Sequence, residues 1–441
     1  MNRLKHFLIL CGGLFSLISH AKELPPETCE VLVVGGGSAG ICAAVQSARA
    51  GAKTVLVEMA HQVGGATTTG GVNFPGLFHA WGRQVIDGIG WSLVTNTVTL
   101  AGGRLPDFTQ PTGRNHPKHQ VTVNIPLFVA LSEEALLQSG VTIHYHEAPS
   151  RVVASSDGWQ VQTAVMGDTR MIQCKQLVDC TGNGAVVDLA GFARQRGEER
   201  QPGSFYYQLK FNTDLTKIDR KDLEQRFNDA VASGRVERTD ARWGIYHHVQ
   251  VGGNVGNYVN GADNSTGDLR TETNLRGRAS MLRLYRFLKS VPGLGNAVIV
   301  EMAPEVGIRE TYRIVGEYTV TRDDYCSGKV WDDSLCYTFY PIDLHNSRSG
   351  VAPAHLKEGV VATVPLRALV PKGSTRLIVA GRCVSSDREA NSALRVQASC
   401  MAMGQVAGAV AAVAAQKNVT PVDVSLPAVR AVLREHGAVI P

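Results

Sequence analysis

The chain has 441 residues, of which 44% are hydrophobic and 19% are charged, and its formal net charge is +5. This length allows two domains or one large composite domain, and the composition is that of a globular protein. The mild charge and the lack of any Lys/Arg run argue against a nucleic-acid-binding function.

Residues 1–21 have the pattern of a secretory signal peptide. Arg3 and Lys5 give a basic start, an apolar segment follows at 7–18, and Ser19-His20-Ala21 is a small-x-small cleavage site. The apolar segment is short for a membrane span, and an uncleaved N-terminal anchor is the alternative. We therefore expect a periplasmic or secreted protein, cleaved near Ala21 and not stably inserted in a membrane afterwards.

The next predicted element is a strand–turn–helix–strand unit, residues 29–58. An apolar run at 30–34 leads into the glycine-rich turn 35–40, which opens a small-residue helix at 41–50. A second apolar run ends on Glu58, about twenty residues after the turn, where a carboxylate can accept a hydrogen bond from a ribose hydroxyl. This order is the full context of a dinucleotide-binding fold, and the alternative is a glycine-rich turn of an ordinary α/β domain.

Three glycines of this turn have different expected roles. Gly35 permits the tight turn, Gly37 lets a pyrophosphate approach the backbone, and Gly40 lets the helix and the strand pack closely. The helix N-terminus adds free N–H groups and the positive end of the helix dipole. We expect the turn to bind the diphosphate of a dinucleotide.

The rest of the first half alternates loops with short predicted elements. The loop 59–71 has two glycine doublets and three threonines, which suits backbone that passes close to a flat ligand. An irregular insertion at 74–125 contains a helix near 89–101, and a second helix follows at 126–139. Strands are predicted at 141–145 and then, as a β-meander, at 151–154, 159–165 and 171–174, before a separate buried strand at 177–180.

The middle of the chain differs in character, being richer in charge and in aromatic residues. It has predicted helices near 221–233 and 280–290, and a glycine- and asparagine-rich segment at 252–267 that we interpret as a loop. The pattern of an apolar strand that ends at a glycine occurs again at 376–381. A long helix of small residues follows at 396–416. The predicted organisation is a nucleotide-binding domain in two parts, 29–194 and 366–418, with a substrate or cap domain inserted at 195–365 and a helical tail at 419–441.

The nine cysteines are scattered and include no C-x-x-C. This absence excludes the common iron–sulfur and zinc ligand spacings, so no metal site is expected. Cys326 and Cys336 flank a short polar segment. They form a disulfide in an oxidising compartment or remain two free thiols, and the sequence leaves both alternatives open.

The chain resembles the FAD-dependent oxidoreductases of the glutathione-reductase structural class, in a form common among secreted bacterial proteins and without iron–sulfur motifs. The resemblance covers nearly all of the mature chain, and its motifs lie at 33–40 with Glu58 and Gly64-Gly65, at 178–184, at 307–316 with 340–345, and at 380–385 with 394–408. It implies an α/β fold: a three-layer FAD/NAD(P)-binding (Rossmann-like) domain with a central parallel sheet, a β-meander and an inserted α+β substrate domain. Asn183 departs from the family pattern, which usually has an acid there.

The resemblance also implies non-covalent FAD and a set of contacts to it. The pyrophosphate would lie on Gly35, Gly37 and Gly40, with Ser38 and Ala39 at the helix start. The remaining implied contacts are Glu58 to the adenosine ribose, Gly64, Gly65 and Thr69 along the ribityl chain and the isoalloxazine, Val152 to adenine, Thr181 and Gly182 to the diphosphate, Gly381 and Arg382 to the ribityl or phosphate region, and Arg395 and Val396 at the helix start facing the pyrimidine edge. The alternative to non-covalent binding is a covalent link to the flavin, and His61 is the candidate residue for that link.

His345 is the leading candidate for the acid or base, because histidine most often moves protons at neutral pH. Asp343 is too close to it in sequence for us to assume that the two side chains pair. Arg309 is the leading anion clamp, since its planar fork matches carboxylates and stabilises developing negative charge. The weaker candidates are His79, His247 and His248.

These features predict an FAD-dependent oxidoreductase that transfers hydride between a small organic substrate and flavin N5, with a dehydrogenase as the first choice. Quinone, oxygen or a soluble carrier would accept the electrons. The alternatives are a fumarate-reductase-like reductase of C=C bonds, a non-catalytic flavin-binding electron carrier, and a fold that has lost its cofactor. The sequence leaves open the substrate, the direction of the reaction, the acceptor and the oligomeric state.

Overall fold

The computed structural model describes residues 22–110, 115–252, 255–346, 350–351 and 353–441, so the predicted signal peptide lies outside the described residues. The strands, in chain order, are β1 (Glu27–Val34), β2 (Thr54–Glu58), β3 (His79–Ala80), β4 (Arg83–Gln84), β5 (Thr142–Tyr145), β6 (Glu147–Ser155), β7 (Gly158–Val165), β8 (Asp168–Asp179), β9 (Arg194–Gln195), β10 (Gly203–Lys210), β11 (Val255–Val259), β12 (Val298–Met302), β13 (Arg313–Ile314), β14 (Ser334–Thr338), β15 (His345–Asn346), β16 (Gly350–Val351), β17 (Ala362–Pro365) and β18 (Leu377–Val379). The α-helices are α1 (Ser38–Arg49), α2 (Ile89–Leu100), α3 (Ile125–Gln138), α4 (Ala185–Leu189), α5 (Arg220–Ala232), α6 (Ile245–Val251), α7 (Gly267–Ser290), α8 (Arg322–Ser327), α9 (Arg388–Leu394), α10 (Gln397–Lys417) and α11 (Leu426–Glu435).

A seven-stranded sheet forms the centre of the fold. Strands β5, β2, β1, β8 and β18 pair in parallel. Strand β7 pairs antiparallel with β8, and β6 pairs antiparallel with β7. The side chains of Val31, Leu32 and Val33 in β1 are fully buried. A continuous apolar run of this kind is typical of a parallel strand that is covered on both faces. The predicted parallel sheet with a β-meander is therefore present.

Strand β8 differs from the prediction of two separate strands at 171–174 and 177–180. It is one continuous strand, whose first half pairs with β7 and whose last residues pair with β18. The polar pair Lys175-Gln176 lies between the two predicted strands. In the structure Lys175 forms an ion pair with Glu30, and the buried Gln176 donates to the Val419 carbonyl, so neither residue interrupts the strand.

Helices α1 and α10 pack unusually close to each other beside this sheet. A Cβ atom on Gly404 would lie 2.1 Å from the Ala39 carbonyl oxygen, and one on Gly408 would lie 2.2 Å from that of Ala43. Only glycine allows this approach. Among the described residues, α10 is the one helix that is long and apolar enough to cross a membrane, but 94% of its apolar window is buried inside the protein.

A second core lies in the middle of the chain, within residues 195–365. The antiparallel sheet β11-β10-β12 packs with α5, α6 and α7, and their apolar side chains form a cluster separate from the main core. This cluster takes its buried residues from Phe205 to Ile308, whereas those from Val320 to Val364 join the main core. The division of the chain at 195–365 stays a prediction.

Strand β11 lies inside the segment 252–267, which the sequence analysis interpreted as a loop. Gly256 and Asn257 of this strand contribute to packing and do not form a turn. A Cβ on Gly256 would lie 3.1 Å from the Tyr206 ring, and the buried Asn257 amide bonds the Ser280 and Tyr207 hydroxyls. The helix predicted at 280–290 is likewise only the last part of α7.

Cys326 and Cys336 are free thiols in the structure. Cys326 lies half-buried in α8, and Cys336 is buried in β14. This arrangement corresponds to the second of the two alternatives that the sequence left open.

Candidate active site

A cavity of about 780 Å³ opens where β1, β8 and β18 end. The carboxyl edge of a parallel sheet is the usual place for a ligand in such folds. Its walls come from the glycine turn, the loop after β2, the turn after β8, the segment after β18, the start of α10, and residues from the middle of the chain.

The three glycines of the first turn have different surroundings. Gly35 has a φ of 98° and lies against Cys180, whose carbonyl oxygen is 2.6 Å from where a Cβ would be. Gly40 has even less room, with 1.7 Å from its Cβ position to the Gly35 carbonyl oxygen. Gly37 faces the cavity, where the nearest atom is Gly65 Cα at 4.0 Å. Gly35 and Gly40 therefore shape the turn, and Gly37 leaves the cavity wall flat.

Helix α1 begins at this wall without a side-chain N-cap. Ser38 and Ala39, its first residues, line the cavity. The first N–H groups of a helix have no partner within the helix, and they carry the positive end of its dipole. They are suited to bind a diphosphate.

Glu58 lines the cavity and holds the glycine turn in place. Its Oε2 accepts from the Gly36 N–H at 2.6 Å, and its Oε1 accepts from the Ala60 N–H at 2.7 Å. Burial raises the pKa of this carboxyl, and the two backbone hydrogen bonds oppose that effect. Each oxygen keeps a free lone pair for a ribose hydroxyl.

The loop after β2 has one glycine inside the wall and one on it. A Cβ on Gly64 would lie 2.3 Å from the Thr68 side chain, so Gly64 does not reach the cavity, whereas Gly65 lines it opposite Gly37. Thr69 also lines the cavity, and its buried hydroxyl has no partner among the described residues. An unpaired buried hydroxyl is unfavourable unless a ligand bonds it.

The turn after β8 depends on the buried carboxylate of Asp179. It accepts from the N–H and the hydroxyl of Thr181, at 2.9 and 2.6 Å, and from the N–H groups of Val186 and Val187 at the start of α4. This network places Thr181, Gly182 and Asn183 on the cavity wall. The side-chain oxygen of Asn183, which departs from the family pattern, has no partner among the described residues.

We expect Asp179→Asn to lower the free energy of unfolding by about 2–3 kcal/mol, because the amide turns an N–H donor toward backbone N–H donors. Urea unfolding measures this loss. Asp188→Asn in the neighbouring α4 is the control and should have little effect, since that side chain is 54% exposed. Equal stability of the two variants would contradict the role assigned to Asp179.

The wall opposite the first turn comes from distant parts of the chain. Arg382 donates from Nε to the Gly182 carbonyl at 2.8 Å and from Nη1 to the Ile308 carbonyl at 2.7 Å, which joins the turns after β8 and β18. Gly381, with a φ of 97°, lies beside it on the wall. Val396 precedes α10 and lines the cavity together with Gln397. No side chain caps this N-terminus, and the Ala398 N–H donates to the Pro75 carbonyl at 2.7 Å.

Val152 and His61, in contrast, do not line the cavity. Val152 is buried in the sheet opposite Val161, and only the first residues of its strand, 147–149, reach the cavity. His61 is exposed. The structure thus brings together all the sequence-predicted cofactor residues except Gly40, Gly64 and Val152.

His345 and Asp343 face the far end of the cavity and are hydrogen-bonded to each other, a pairing that the sequence analysis did not assume. Asp343 Oδ2 lies 2.9 Å from His345 Nε2, and the Tyr258 hydroxyl lies 2.7 Å from Nδ1. Burial, followed by the charge of Arg309, lowers the pKa of His345 to about 3. Burial opposes ionisation of Asp343, but the bond from His345 and the charges of Arg395 and Arg309 lower its pKa to about 2. A neutral imidazole therefore donates from Nε2 to the carboxylate and accepts at Nδ1 from Tyr258.

Arginines surround this pair. Arg309 donates to the Pro202 carbonyl at 2.5 Å and to the Ser204 hydroxyl at 2.9 Å. Burial, then the charges of Arg242 and Arg395, lower its pKa to about 10. Arg395 contacts Asp343, with 3.5 Å between Nη2 and Oδ2.

The sequence analysis missed Arg242, Tyr258 and His116. Arg242 and His116 line the cavity, and Tyr258 orients His345. In the sequence, Arg242 is marked only by the adjacent Trp243, and this pair is not part of any motif with a defined spacing. The weaker histidine candidates lie elsewhere: His79 stacks on Phe108, His247 is exposed, and His248 bonds Tyr207.

Comparisons with known proteins agree with a flavin site. The chain matches the profile of the family described as FAD dependent oxidoreductase over residues 30–433. A search of curated proteins finds no match.

Solved structures to which the chain is similar include a hydroxylase, a reductase-like protein and a monooxygenase. Anhydrotetracycline hydroxylase from Streptomyces rimosus is 18% identical with a TM-score of 0.32, and the match covers 45% of this chain and 41% of that one, less than half the hydroxylase. A geranylgeranyl bacteriochlorophyll reductase-like protein from Thermoplasma acidophilum is 13% identical with a TM-score of 0.42, covering 93% and 83%. p-Nitrophenol 4-monooxygenase from Pseudomonas putida is 12% identical with a TM-score of 0.41, covering 93% and 84%.

The residues present fit FAD. The flat wall at Gly37, the uncapped starts of α1 and α10, and the unpaired hydroxyl of Thr69 supply the donors and the room that a dinucleotide needs. The family match covers most of the chain and includes every one of these positions. The chain belongs to the FAD-dependent oxidoreductase family and is an FAD-dependent enzyme.

Proposed function

We propose that the enzyme is a dehydrogenase that oxidises a hydroxyl- or amine-bearing carbon of a small organic substrate, with non-covalent FAD. Bound FAD supplies hydride acceptance, and quinone, oxygen or a soluble carrier takes the electrons onward. The observation that carries the proposal is the His345–Asp343 pair, which faces the same cavity as the cofactor-binding turns. A proton acceptor beside a flavin site is the requirement for this reaction.

The chain's own residues handle the proton. Oxidation of an alcohol carbon releases a hydride and the hydroxyl proton. Because Nδ1 of the neutral His345 already accepts the Tyr258 hydrogen, the Tyr258 hydroxyl would pass that hydrogen to Nδ1 and take up the substrate proton in its place. The Tyr258 hydroxyl then turns from donor to acceptor toward Nδ1. The Asp343 carboxylate on Nε2 stabilises the imidazolium, as the orienting carboxylate does in catalytic triads.

The rate of flavin reduction by a hydroxyl-bearing substrate should not fall between pH 8 and pH 5. The pKa of His345 is lowered to about 3, so the proton-accepting imidazole is fully present throughout this range. Stopped-flow measurement of flavin bleaching under anaerobic conditions tests this. A rate that is lost around pH 6.5, the ordinary histidine value, would contradict the assignment of His345.

Reduction of a C=C bond activated by a carboxyl group is the second candidate. The observation in its favour is the concentration of Arg242, Arg309, Arg395 and His345 at one end of the cavity, because arginines stabilise the negative charge that develops on such a substrate. Anaerobic mixing separates the two reactions. A dehydrogenase is bleached by a hydroxy or amino compound, whereas a reductase that has been reduced chemically is reoxidised by an unsaturated acid.

The visible absorption spectrum of the purified protein, repeated after acid precipitation, tests the cofactor part of the proposal. Flavin bands that move wholly into the supernatant are expected for non-covalent FAD. Bands that stay with the pellet would overturn non-covalent binding, and no bands after reconstitution with FAD would overturn the whole proposal. Rapid bleaching by NADPH alone would also count against it, since no NADPH-binding domain is expected.

Export to the periplasm or the medium belongs to the same proposal, as does membership of the glutathione-reductase structural class. Support for export comes from the pattern of residues 1–21. Support for the class comes from the parallel sheet that continues into a β-meander. N-terminal sequencing of the protein from separated cell fractions tests the export, and a start at residue 22 is the expected result.

A further inference from the structure

Five arginines line the cavity, and their partners differ. Arg270 pairs with Glu305 at 2.5 Å and Arg395 with Asp343 at 3.5 Å. Across the described ranges, the other three have no carboxylate oxygen within 4.0 Å; they are Arg242, Arg309 and Arg382. Arg309 is buried, and Arg242 and Arg382 are half-buried. A cation withdrawn from water without a counter-charge is unfavourable, which indicates that a ligand supplies the negative charge.

Arg382 belongs to the cofactor end, because it bonds the Gly182 carbonyl in the turn that would face the diphosphate. Arg242 and Arg309 belong to the other end, beside His345 and Asp343. Arg242 and Arg309 are thus available to bind a ligand other than FAD.

Arg242 and Arg309 converge on one hydroxyl. Each donates to the Ser204 oxygen at 2.9 Å, and each guanidinium lies over the Tyr258 ring, 5.0 Å and 5.5 Å from its centroid. Because the Ser204 oxygen accepts both bonds, its own hydrogen is free to donate to a ligand. Arg242 Nε is buried and has no partner among the described residues. The two guanidiniums and the hydroxyl form a set of donors, which we call the arginine pair.

We propose that the arginine pair holds a carboxylate group of the substrate, so that the enzyme acts on a small organic acid. This inference rests on the proposed function, since it names the substrate class for the same site. A guanidinium presents parallel N–H groups that match the two oxygens of a carboxylate. Arg242 comes from the inserted region, just after its 3₁₀ helix Arg238–Ala241. The inserted region therefore selects the substrate, whichever redox reaction follows.

Binding of simple carboxylates to the FAD-loaded enzyme tests the inference. The probe is malonate, compared with its neutral analogue malonamide and with sulfate and inorganic phosphate. Binding is followed by the change in the flavin spectrum and, independently, by equilibrium dialysis of labelled malonate. Malonate is expected to bind saturably, and malonamide is not.

Two variants and a control locate the site. Arg242→Gln and Arg309→Lys should each weaken malonate binding at least tenfold while the protein keeps its FAD. Arg286→Gln, at an exposed arginine of α7 in the same inserted region, should leave binding unchanged. If Arg309→Lys loses FAD, Arg242→Gln alone decides, because Arg242 makes no bond to the cofactor turns.

Several results would overturn the inference while leaving the proposed function intact. They are an enzyme that contains FAD but does not bind malonate, variants that bind it as the wild type does, and sulfate or phosphate that binds as tightly as malonate. Absence of flavin would instead overturn the proposed function itself. The flavin content of each preparation therefore tells the two failures apart.

Discussion

Gly40→Ala should leave the purified protein essentially without FAD. The added Cβ would lie 1.7 Å from the Gly35 carbonyl oxygen and 2.9 Å from the Gly35 carbonyl carbon. Both are backbone atoms, which cannot rotate away as a side chain does, so α1 must move from the turn that holds its N-terminus against the cavity. Overpacking of this kind costs about 1–3 kcal/mol of stability. We expect the Kd for FAD to rise ~100-fold, which corresponds to about 2.7 kcal/mol.

The measurement is titration of the apoprotein with FAD, together with thermal unfolding. Gly197→Ala is the matched control, because Gly197 is exposed and a Cβ there would meet only the Glu199 carbonyl oxygen, at 3.5 Å. It should bind FAD as the wild type does. A Gly40→Ala protein with a full complement of FAD and an unchanged Tm would refute the packing role of Gly40.

His345→Asn should slow flavin reduction by substrate ~10²- to 10⁴-fold, the range for loss of a general acid or base. The side chain bonds Asp343 and Tyr258, not the cofactor turns, so the variant should keep its FAD. Asparagine retains hydrogen-bonding atoms for the two partners but cannot take up a proton at neutral pH. The measurement is the rate of anaerobic bleaching at saturating substrate.

His247→Asn is the control for this experiment, since His247 carries the same side chain on the exposed side of α6. It should react at the wild-type rate. A purely structural role for His345 would lower Tm and flavin content without the rate loss, and a wild-type rate in His345→Asn would exclude it as the base.

The sequence predicted the strand–turn–helix–strand unit at 29–58 well because the signals there are local. The turn at Gly35, Gly37 and Gly40, the apolar strands on each side and Glu58 lie within one short unit, where spacing alone defines the geometry. The errors arose where tertiary contacts override composition. Gln176 is polar yet buried within β8, and Gly256 lies in a strand because the Tyr206 ring needs the space.

The substrate end of the cavity was harder to predict for a different reason. Arg242, Arg309 and Ser204 meet at one point from three separate segments, and no local pattern links them. His345 and Asp343 were individually visible. Their pairing depends on an irregular backbone before β15 and on Tyr258 from β11. The sequence predicted a loop at β11 because the segment is rich in glycine and asparagine.

The packing of α1 against α10 has a consequence for how the enzyme acquires its cofactor. The cavity takes Gly37 from near the start of the chain and Gln397 from near its end, and the hydroxyl of the buried Thr67 donates to the Gln397 side chain at 2.6 Å. Contacts between residues so far apart in sequence form late in folding. FAD therefore cannot stabilise a nascent chain, and it loads only after synthesis has passed α10. Flavin absorbance in a preparation thus sets a lower limit on the number of chains that extend past α10 and have folded.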